Sequence, residues 1–581
     1  MTIRSELLHQ AVRDDIEGHG LSYTDKFWPD MSHQQAFASS LVGSLTKKYV
    51  EDVSDDADAK ALAKFLHCND ACKEWEPNTN IGSKLETLLG TVRQSLYHFW
   101  FPGNGGCPDP LIRNSVEIFS QSQTGPGSSR GAHSNSFYAK LFASRLSVSS
   151  TRVYDEYTHY ISRVADWAAA EKHRVETHGD SYIANSRLSF VAKNDDISRC
   201  ICTEPTLNGF AQLGIGNILE SRLKVRYGIG LDDQQFKNRD LARLGSITDN
   251  LSTIDLSSAS DTISLRMLKY LLPDSFYRVL EKYRTPFVEI GGVGTVELHM
   301  VSTMGNGFTF PLQTILFSSI VTASLRFRGL PLNRRDSQSL WGVFGDDIIC
   351  PRACTQDVLD LLDFLGFRVN SDKTFVEGPF RESCGSDFYC GVNVRGVYIK
   401  DTSSPQALYS AINNLVRFST RSAIPFYRTV DLLMANLKPR DRLFVPRLED
   451  MSSGIHAPSS LDEVRKYPRA QDIQGKFYRC YVAKASTISI LEDRFMRSRH
   501  SKGLAHNPPG LFVSFLQGCI RDSRIMVREN QPYWSLKRRA SSRWDSVSHY
   551  NDEPVSKRDH DDYGLDWQRW ETVALCYFTS M

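Results

Sequence analysis

Between residues 245 and 400, short β-branched runs alternate with stretches of helical spacing, the pattern of a mixed α+β core. Residues 1–118 read as mainly helical, with polar interruptions such as Glu76-Pro77-Asn78-Thr79-Asn80. The small-polar stretch 120–131 has the composition of a flexible loop; its backbone N–H groups and Arg130 offer a phosphate contact, though plain linker fits better. Tyr157, Tyr160, Ile161, Val164 and Trp167 recur at helical spacing and predict a core stripe, and Phe210, Leu213, Leu219 and Leu223 predict a second helix. Ser404-Pro405 resembles a helix start, with Leu408, Ile412, Leu415 and Val416 as its buried face. The remainder reads as helical and loop-rich, with basic clusters at Arg494, Arg497, Arg499, Lys502 and at Lys537, Arg538, Arg539, Arg543. Such clusters are usually solvated faces and only weakly indicate RNA contact.

One apolar run carries chemistry. Residues 340–350 predict two short strands joined by a tight turn at Gly345, and the turn holds Asp346 and Asp347 side by side. Two adjacent ionised carboxylates are costly to bury unless a cation compensates. Mg²⁺ suits that role, because it takes carboxylate oxygens together with substrate phosphates. A solvated hairpin tip would be the bland alternative for Gly-Asp-Asp alone.

Length and composition limit the choices. At 581 residues the chain needs several subdomains. Its net charge of +2 shows no overall basic bias, so any nucleic-acid contact must come from local patches. The N-terminus becomes charged at once and no uninterrupted apolar stretch is long enough for a bilayer. Twelve scattered cysteines argue for a reducing compartment, and His67, Cys68, Cys72 and Cys107 make a poor zinc site.

Further motifs surround the paired aspartates. Asp255 ends a β-like run and precedes Leu256-Ser257-Ser258-Ala259-Ser260-Asp261, with a helix expected to begin at Asp261. Ser258, Ser260 or Asp261 would each serve as a cap, whereas Asp255 lies before the cap. Ser302-Thr303-Met304-Gly305-Asn306-Gly307-Phe308-Thr309 is a permissive glycine loop that opens an apolar helix. Upstream, Lys193 and Arg199 flank a polar loop. Downstream, Lys373 follows a helix–strand stretch and is either a proton donor or a surface lysine.

Their order is cationic loop, strand-end Asp, glycine loop with helix, Asp-Asp hairpin, then helix with lysine. This resembles the right-hand RNA-dependent RNA polymerases of RNA viruses, and more closely the replicase catalytic subunit of the small positive-strand RNA bacteriophages, the levivirus family. The strings that carry the closer likeness include Asp255-Leu256-Ser257-Ser258-Ala259-Ser260-Asp261, Met304-Gly305-Asn306-Gly307-Phe308-Thr309-Phe310 and Gly378-Pro379-Phe380-Arg381-Glu382-Ser383-Cys384-Gly385. The likeness spans roughly residues 185–420.

The resemblance implies an α+β right hand whose palm has a ferredoxin-like antiparallel sheet. Residues 1–244 would be mainly fingers, 245–400 palm and 401–581 a helical thumb and C-terminal region. Two Mg²⁺ ions, with Mn²⁺ as a substitute, would be held by Asp255 and Asp346, with Asp347 auxiliary. Lys193 and Arg199 would meet the NTP triphosphate, and Lys373 would serve as general acid. Ser260, Asp261, Ser302, Gly305, Asn306 and Thr309 are the candidates for binding the nucleotide and reading its 2′-hydroxyl. Many viral relatives carry a second aspartate five residues after the first, where this chain has Ser260, and asparagine at the position of Gln313. The implied partners are template and product RNA, NTPs, host elongation factors Tu and Ts, and a ribosomal small-subunit protein, with no membrane. The implied setting is the cytoplasm of an infected bacterium. A non-catalytic RNA-binding or assembly subunit is the rival; it would be expected to lose a carboxylate.

Overall fold

In the computed structural model, residues 2–103, 108–332, 340–527, 533–545 and 565–579 are described. Cys107 of the weak zinc set lies outside them. Among the described residues, no cluster of three or more His, Cys, Asp or Glu side chains is gathered to hold a metal. Nor is any helix among them long and apolar enough to cross a membrane.

The centre is a small antiparallel sheet. Its first strand, Leu251–Ile254, pairs with Asp347–Pro351, which pairs in turn with the edge strand Gly342–Phe344. Beyond Asp255 the first strand resumes as Leu256–Ser257 and takes Arg368–Val369 on its other side. The backbone N–H of Asn370 donates to the Asp255 carbonyl at 2.9 Å and carries the pairing across this break. In chain order the unit is strand, helix Thr309–Phe327, hairpin, helix Thr355–Phe364, strand. Last strand, first strand, third and second is the spatial order of a ferredoxin-like sheet, and the α+β class is as expected.

The helix Thr309–Phe327 is buried on nearly every side, as a helix apolar all round must be. Its hydroxyls avoid an unmet burial cost by bonding back along the helix, as in Thr314 to Phe310 O at 2.9 Å and Ser319 to Ile315 O at 2.9 Å. A buried carboxylate then ties the helices under the sheet. Asp357, on the second helix, accepts from Arg328 at 2.9 Å and lies 2.6 Å from Lys84 on the helix Ser83–Trp100.

Two large cores divide the chain differently from the boundaries at 244 and 401. Leu8, Val12, Ile16, Phe37 and Leu41, from helices Ser5–Gly18 and His33–Ser44, share a core with Ile412, Leu415, Val430 and Tyr577. Asp15 caps the helix Tyr427–Ala435 from this distance, accepting from the N–H groups of Arg428 and Thr429, each at 3.0 Å. Conversely, Ile488, Phe495, Leu511 and Ile525 join the core that contains the central sheet and its helices. Asn507 fastens them there through bonds to Phe142 O at 3.1 Å and Ala170 O at 2.9 Å.

Several local expectations hold. Ser404 caps Pro405–Ser422 by accepting from Ala407 N at 3.2 Å, and Leu408, Ile412, Leu415 and Val416 are buried. Others need correction. The stripe from Tyr157 onward is two helices, Thr151–Ile161 and Ala165–His178, and Val164 sits in the break, 38% exposed. Residues 120–131 form a loop, but a fastened one. The buried Lys140 donates to the carbonyls of Gly125 (2.7 Å) and Gly127 (2.6 Å), and Arg130 is spent on Glu289 at 2.7 Å. The C-terminal region is not mainly helical: it contains the strand pair Gly475–Lys484 and Tyr533–Ser541 and the sheet of Ser486–Ser489, Arg524–Val527 and Ile520–Arg521. Dense basic and polar residues on those strands hid the alternation that marks a sheet.

Burial alone would raise the pKa of Asp357, but hydrogen bonds from Arg328 and Lys84 outweigh it and hold the carboxyl below its ordinary value. A carboxyl depressed in the folded state stabilises at neutral pH, and that contribution is lost as pH falls through the depressed pKa. Asp357→Asn should therefore lower the melting midpoint by a few degrees at pH 7. The gap from wild type should shrink on acidification below the ordinary carboxylate range, as followed by thermal melts across pH.

Candidate active site

The turn of the central hairpin is shaped by its glycine. Gly345 has φ +61°, and a Cβ there would lie 2.3 Å from the Phe310 ring. Its N–H donates to Thr314 Oγ1 at 3.0 Å, and the Phe310 and Phe344 rings meet edge to face at 4.8 Å. The hairpin tip is thus seated on the helix that the glycine loop opens. Ile348 pairs with Ile254, so Asp347 follows the turn beside Asp255 on the neighbouring strand, with Asp346 in the turn itself.

Each carboxylate is held differently. Asn370 donates to Asp255 Oδ2 at 2.7 Å. Asp347 Oδ1 accepts from Ser383 Oγ at 3.2 Å and from the Cys384 N–H at 3.1 Å. Arg381 anchors that segment: it is fully buried and donates to Leu251 O at 2.6 Å and to Asp249 at 2.7 Å. The Asp346 carboxyl is met by its own backbone N–H.

All three carboxyls are pushed above their ordinary pKa. Burial is the main cause in each case; Asp347 adds to it at Asp346, Asp346 and Glu382 add to it at Asp255, and Asp255 adds to it at Asp347. Negative charge here is therefore under strain that a cation would relieve. The donor set fits a hard divalent ion such as Mg²⁺, which takes one or two carboxylates and completes its shell with phosphate and water rather than an all-protein cage.

A cavity of about 1170 Å³ opens beside Asn370 and Lys373, and its walls carry eight lysines and arginines against five carboxylates. Lys193 and Arg199 reach it from the strand pair Ser186–Ala192 and Ser198–Thr203, and Lys47, Lys48, Arg395 and Lys400 complete it. The pKa of Lys193 is lowered by burial and by Lys64, Arg199 and Lys373, and that of Lys48 by burial and by Arg395, Lys400, Arg199 and Lys373. Cations so crowded mark an anion site. Burial opposes charge on Lys373, but Glu382 and Asp255 overcome it and raise its pKa. Lys373 lies 3.2 Å from Glu382, which is 3.4 Å from Arg395, itself 2.7 Å from Asp387.

The structure thus gathers Asp255, Asp346, Asp347, Lys373, Lys193 and Arg199 in one region. The glycine loop is spent differently. Gly305 has φ +122° and a Cβ there would strike Cys202 O at 2.2 Å, so this glycine serves the close approach of two backbones. Asn306 Oδ1 accepts from Phe308 N at 2.9 Å and Thr309 donates to Thr303 O at 3.2 Å, both bonds within the loop. Ser302 has a buried hydroxyl with no partner. Ser260 donates to Asp261 Oδ1 at 3.2 Å, and burial pushes the Asp261 carboxyl up to about 6. The helix expected at Asp261 begins at Leu265 and is capped by Ser264; residues Ala259–Thr262 form a single 3₁₀ turn.

Sequence reasoning missed Lys47, Lys48, Asn370, Ser383, Cys384, Arg395 and Lys400. The string from Gly378 to Gly385 carried the family likeness and so pointed at Ser383 and Cys384 without a role. Nothing local marks Lys47 and Lys48, because only tertiary packing brings the end of a helix over two hundred residues away to this cavity.

Divalent-ion binding should show in stability. Mg²⁺ or Mn²⁺ should raise the melting midpoint of the wild type, by about 2.7 kcal/mol in free energy at a hundredfold excess over Kd. Asp255→Asn and Asp346→Asn should melt no lower than the wild type without metal, since each removes a repelling charge, and should gain little from adding it. Differential scanning fluorimetry with and without chelator checks both.

Comparison with known proteins places these features. Residues 39–507 match the family model described as RNA replicase, beta-chain. The RNA-directed RNA polymerase subunit beta of Escherichia virus Qbeta is 39% identical over 274 residues, covering 46% of this chain and 45% of that protein. The RNA-directed RNA polymerase beta chain of Escherichia phage MS2 is 34% identical over 339 residues, covering 58% of this chain and 56% of that one. The chain therefore spans about half the length of these curated relatives in the matched regions. Among solved structures, the RNA-dependent RNA polymerase of a human picobirnavirus matches with a TM-score of 0.37 and 10% identity, over 65% of this chain and 75% of that one. With more than half of its length matched by the family model, this chain belongs to the RNA replicase beta-chain family.

Proposed function

We propose that this chain copies RNA from an RNA template by nucleotidyl transfer from NTPs. The observation that carries the reading is the set of three buried carboxylates at the central hairpin turn and the adjoining strand break, beside a cavity in which lysines and arginines outnumber carboxylates. In the reaction a 3′-hydroxyl oxygen attacks the α-phosphorus of an NTP in line, the bond to the bridging oxygen breaks, and pyrophosphate leaves. Divalent metal held by the carboxylates would supply the positive charge that favours an ionised hydroxyl and the leaving oxygens. Mg²⁺ is the proposed metal, with Mn²⁺ as a substitute. Asp255 and Asp346 would hold the ions, while Asp347, engaged by Ser383 and Cys384, fixes the turn between them.

Lys193 and Arg199 would bind the triphosphate, Arg199 by two parallel hydrogen bonds. Lys373, whose pKa Glu382 and Asp255 raise against burial, would give a proton to pyrophosphate. Ser260 and Asp261 would read the ribose, with Ser302, Gly305, Asn306 and Thr309 shaping the wall behind. In the right hand proposed, residues 245–400 are the palm, most of 50–244 the fingers, and the C-terminal core together with the helices Ser5–Gly18 and His33–Ser44 the thumb side. Template, product RNA and NTPs are the proposed ligands. On the family likeness alone, elongation factors Tu and Ts and a ribosomal small-subunit protein are the proposed partners, in the cytoplasm of an infected bacterium.

The test is metal-dependent incorporation of labelled NTPs on an RNA template, with and without the elongation factors. Asp346→Asn should reduce incorporation by several orders of magnitude and leave RNA binding near wild type. Loss of binding and folding together would instead make the residue structural. Ser260→Ala and Asp261→Ala should each narrow the preference for NTP over dNTP. Unchanged discrimination in both would move the ribose contact elsewhere.

A further inference from the structure

Lys373 is fixed from two sides. Its backbone belongs to the turn Ser371–Lys373, and its N–H donates at 3.2 Å to the carbonyl of Asn370, whose side chain holds Asp255. Its ammonium has one carboxylate partner among the described residues, Glu382 Oε1 at 3.2 Å. The same oxygen lies 3.4 Å from Arg395 Nη1, and that nitrogen lies 2.7 Å from Asp387 Oδ1. Asp387, Arg395, Glu382 and Lys373 therefore form a chain of alternating charge. It runs from the Asp387 side chain, 12% exposed, to the Lys373 side chain at the cavity, 44% exposed.

Stability does not account for this chain. The strand Phe380–Ser383 pairs with Ser386–Tyr389 so that Glu382 stands directly opposite Asp387. Like charges opposed across a sheet are destabilising, and burying one of them adds to the cost. Burial pushes the Asp387 carboxyl up and Glu382 adds to that, against the pull of Arg395. At the other end, an ion pair with a partner as exposed as Lys373 stabilises little. What the arrangement does is direct one oxygen at one ammonium. Arg395, braced by Asp387 and lying over the Tyr398 ring at 5.0 Å, holds that oxygen from behind.

The strand also fixes where Glu382 sits relative to the aspartates. Successive residues of a strand face opposite ways. Ser383 bonds Asp347 at 3.2 Å, while Glu382, the residue before it, reaches Lys373. One short strand thus holds an aspartate of the centre and the candidate proton donor at a set spacing.

We propose that Glu382, braced by Arg395 and Asp387, is a positioning residue that aims the Lys373 ammonium at the leaving pyrophosphate. The proposal rests on the polymerase reading, in which Lys373 is the proton donor. As the bond between the α-phosphorus and the bridging oxygen breaks, that oxygen takes a proton from the ammonium. The neutral amine then recovers a proton from solvent.

The test is single-nucleotide addition to a primed RNA template by the full chain with the elongation factors and saturating Mg²⁺, reading kcat and KM for NTP. Lys373→Met should lower kcat roughly a hundredfold, within the usual reach of a general acid. Glu382→Ala should lower kcat roughly tenfold with KM near wild type, the effect of a misaimed donor rather than of lost binding. Glu382→Gln keeps an oxygen at the same reach and should recover most of that loss. Added to Lys373→Met, Glu382→Ala should cost nothing further, because the residue acts only through the lysine. Asp387 and Arg395 can stay paired in Glu382→Ala, so the fold should persist. Asp387→Asn, which loosens Arg395 from the far end, serves as the second variant and should show the same pattern more weakly. An unchanged kcat in Glu382→Ala, an equal loss in Glu382→Gln, or losses that multiply in the Lys373→Met background would overturn the proposal. Indifference of Glu382 beside a strong effect of Lys373→Met sinks only this role. No incorporation by the wild type sinks the polymerase reading, and an indifferent Lys373→Met sinks the role of the lysine; either takes this proposal with it.

Discussion

Burial of three neighbouring carboxylates, with their mutual repulsion added, is the constraint on which the site depends. Asp255, Asp346 and Asp347 all resist ionisation where they lie, and burial is the first reason for each. Holding them together takes fixed scaffolding on every side. The Thr314 hydroxyl grips the turn from the helix below, Asn370 grips Asp255 from the last strand, and Ser383 and Cys384 grip Asp347 from a neighbouring hairpin. None of these groups carries a formal charge that would cancel the strain. The site is therefore left unsatisfied in just the way that a divalent cation would resolve.

The positive counterpart is kept at a distance. Lysines and arginines line the cavity rather than contacting the aspartates, and their crowding lowers the pKa of Lys48 and Lys193. Direct ion pairs would have quenched both sets of charges. Lys373 links them, since it feels Asp255 and touches Glu382, which also binds Arg395; Lys193 feels Asp255 and Arg199 acts on Asp346 as well. The cavity thus adjoins the aspartates through Asn370, which lines it and bonds Asp255.

Long-range packing gives the cleft its walls. Asp15 caps a helix more than four hundred residues away, and the N-terminal helices complete the C-terminal core. As a result, Lys47 and Lys48, just past the helix His33–Ser44, are carried to the cavity. The C-terminal segment around Asn507 returns the favour by packing on the first core. Both cores therefore draw on residues far apart in the chain.

Local chemistry was legible in the residues themselves. The Gly-Asp-Asp hairpin, the strand ending at Asp255, the glycine loop opening a buried helix and the Ser404 cap all depend on neighbours a few positions apart. Their spacing and residue types suffice, because turns, caps and periodic faces are short-range properties. Even so, the sequence could not separate a ligand-binding residue from a structural one. Gly305 makes a close backbone approach to Cys202, the Asn306 side chain bonds within its own loop, and the helix start near Asp261 lies at Ser264. Which cations share the cavity and which residues restrain each aspartate were decided only by the tertiary structure. Those contacts join positions far apart in the chain, and a long-range pairing leaves no period or spacing for a single sequence to display.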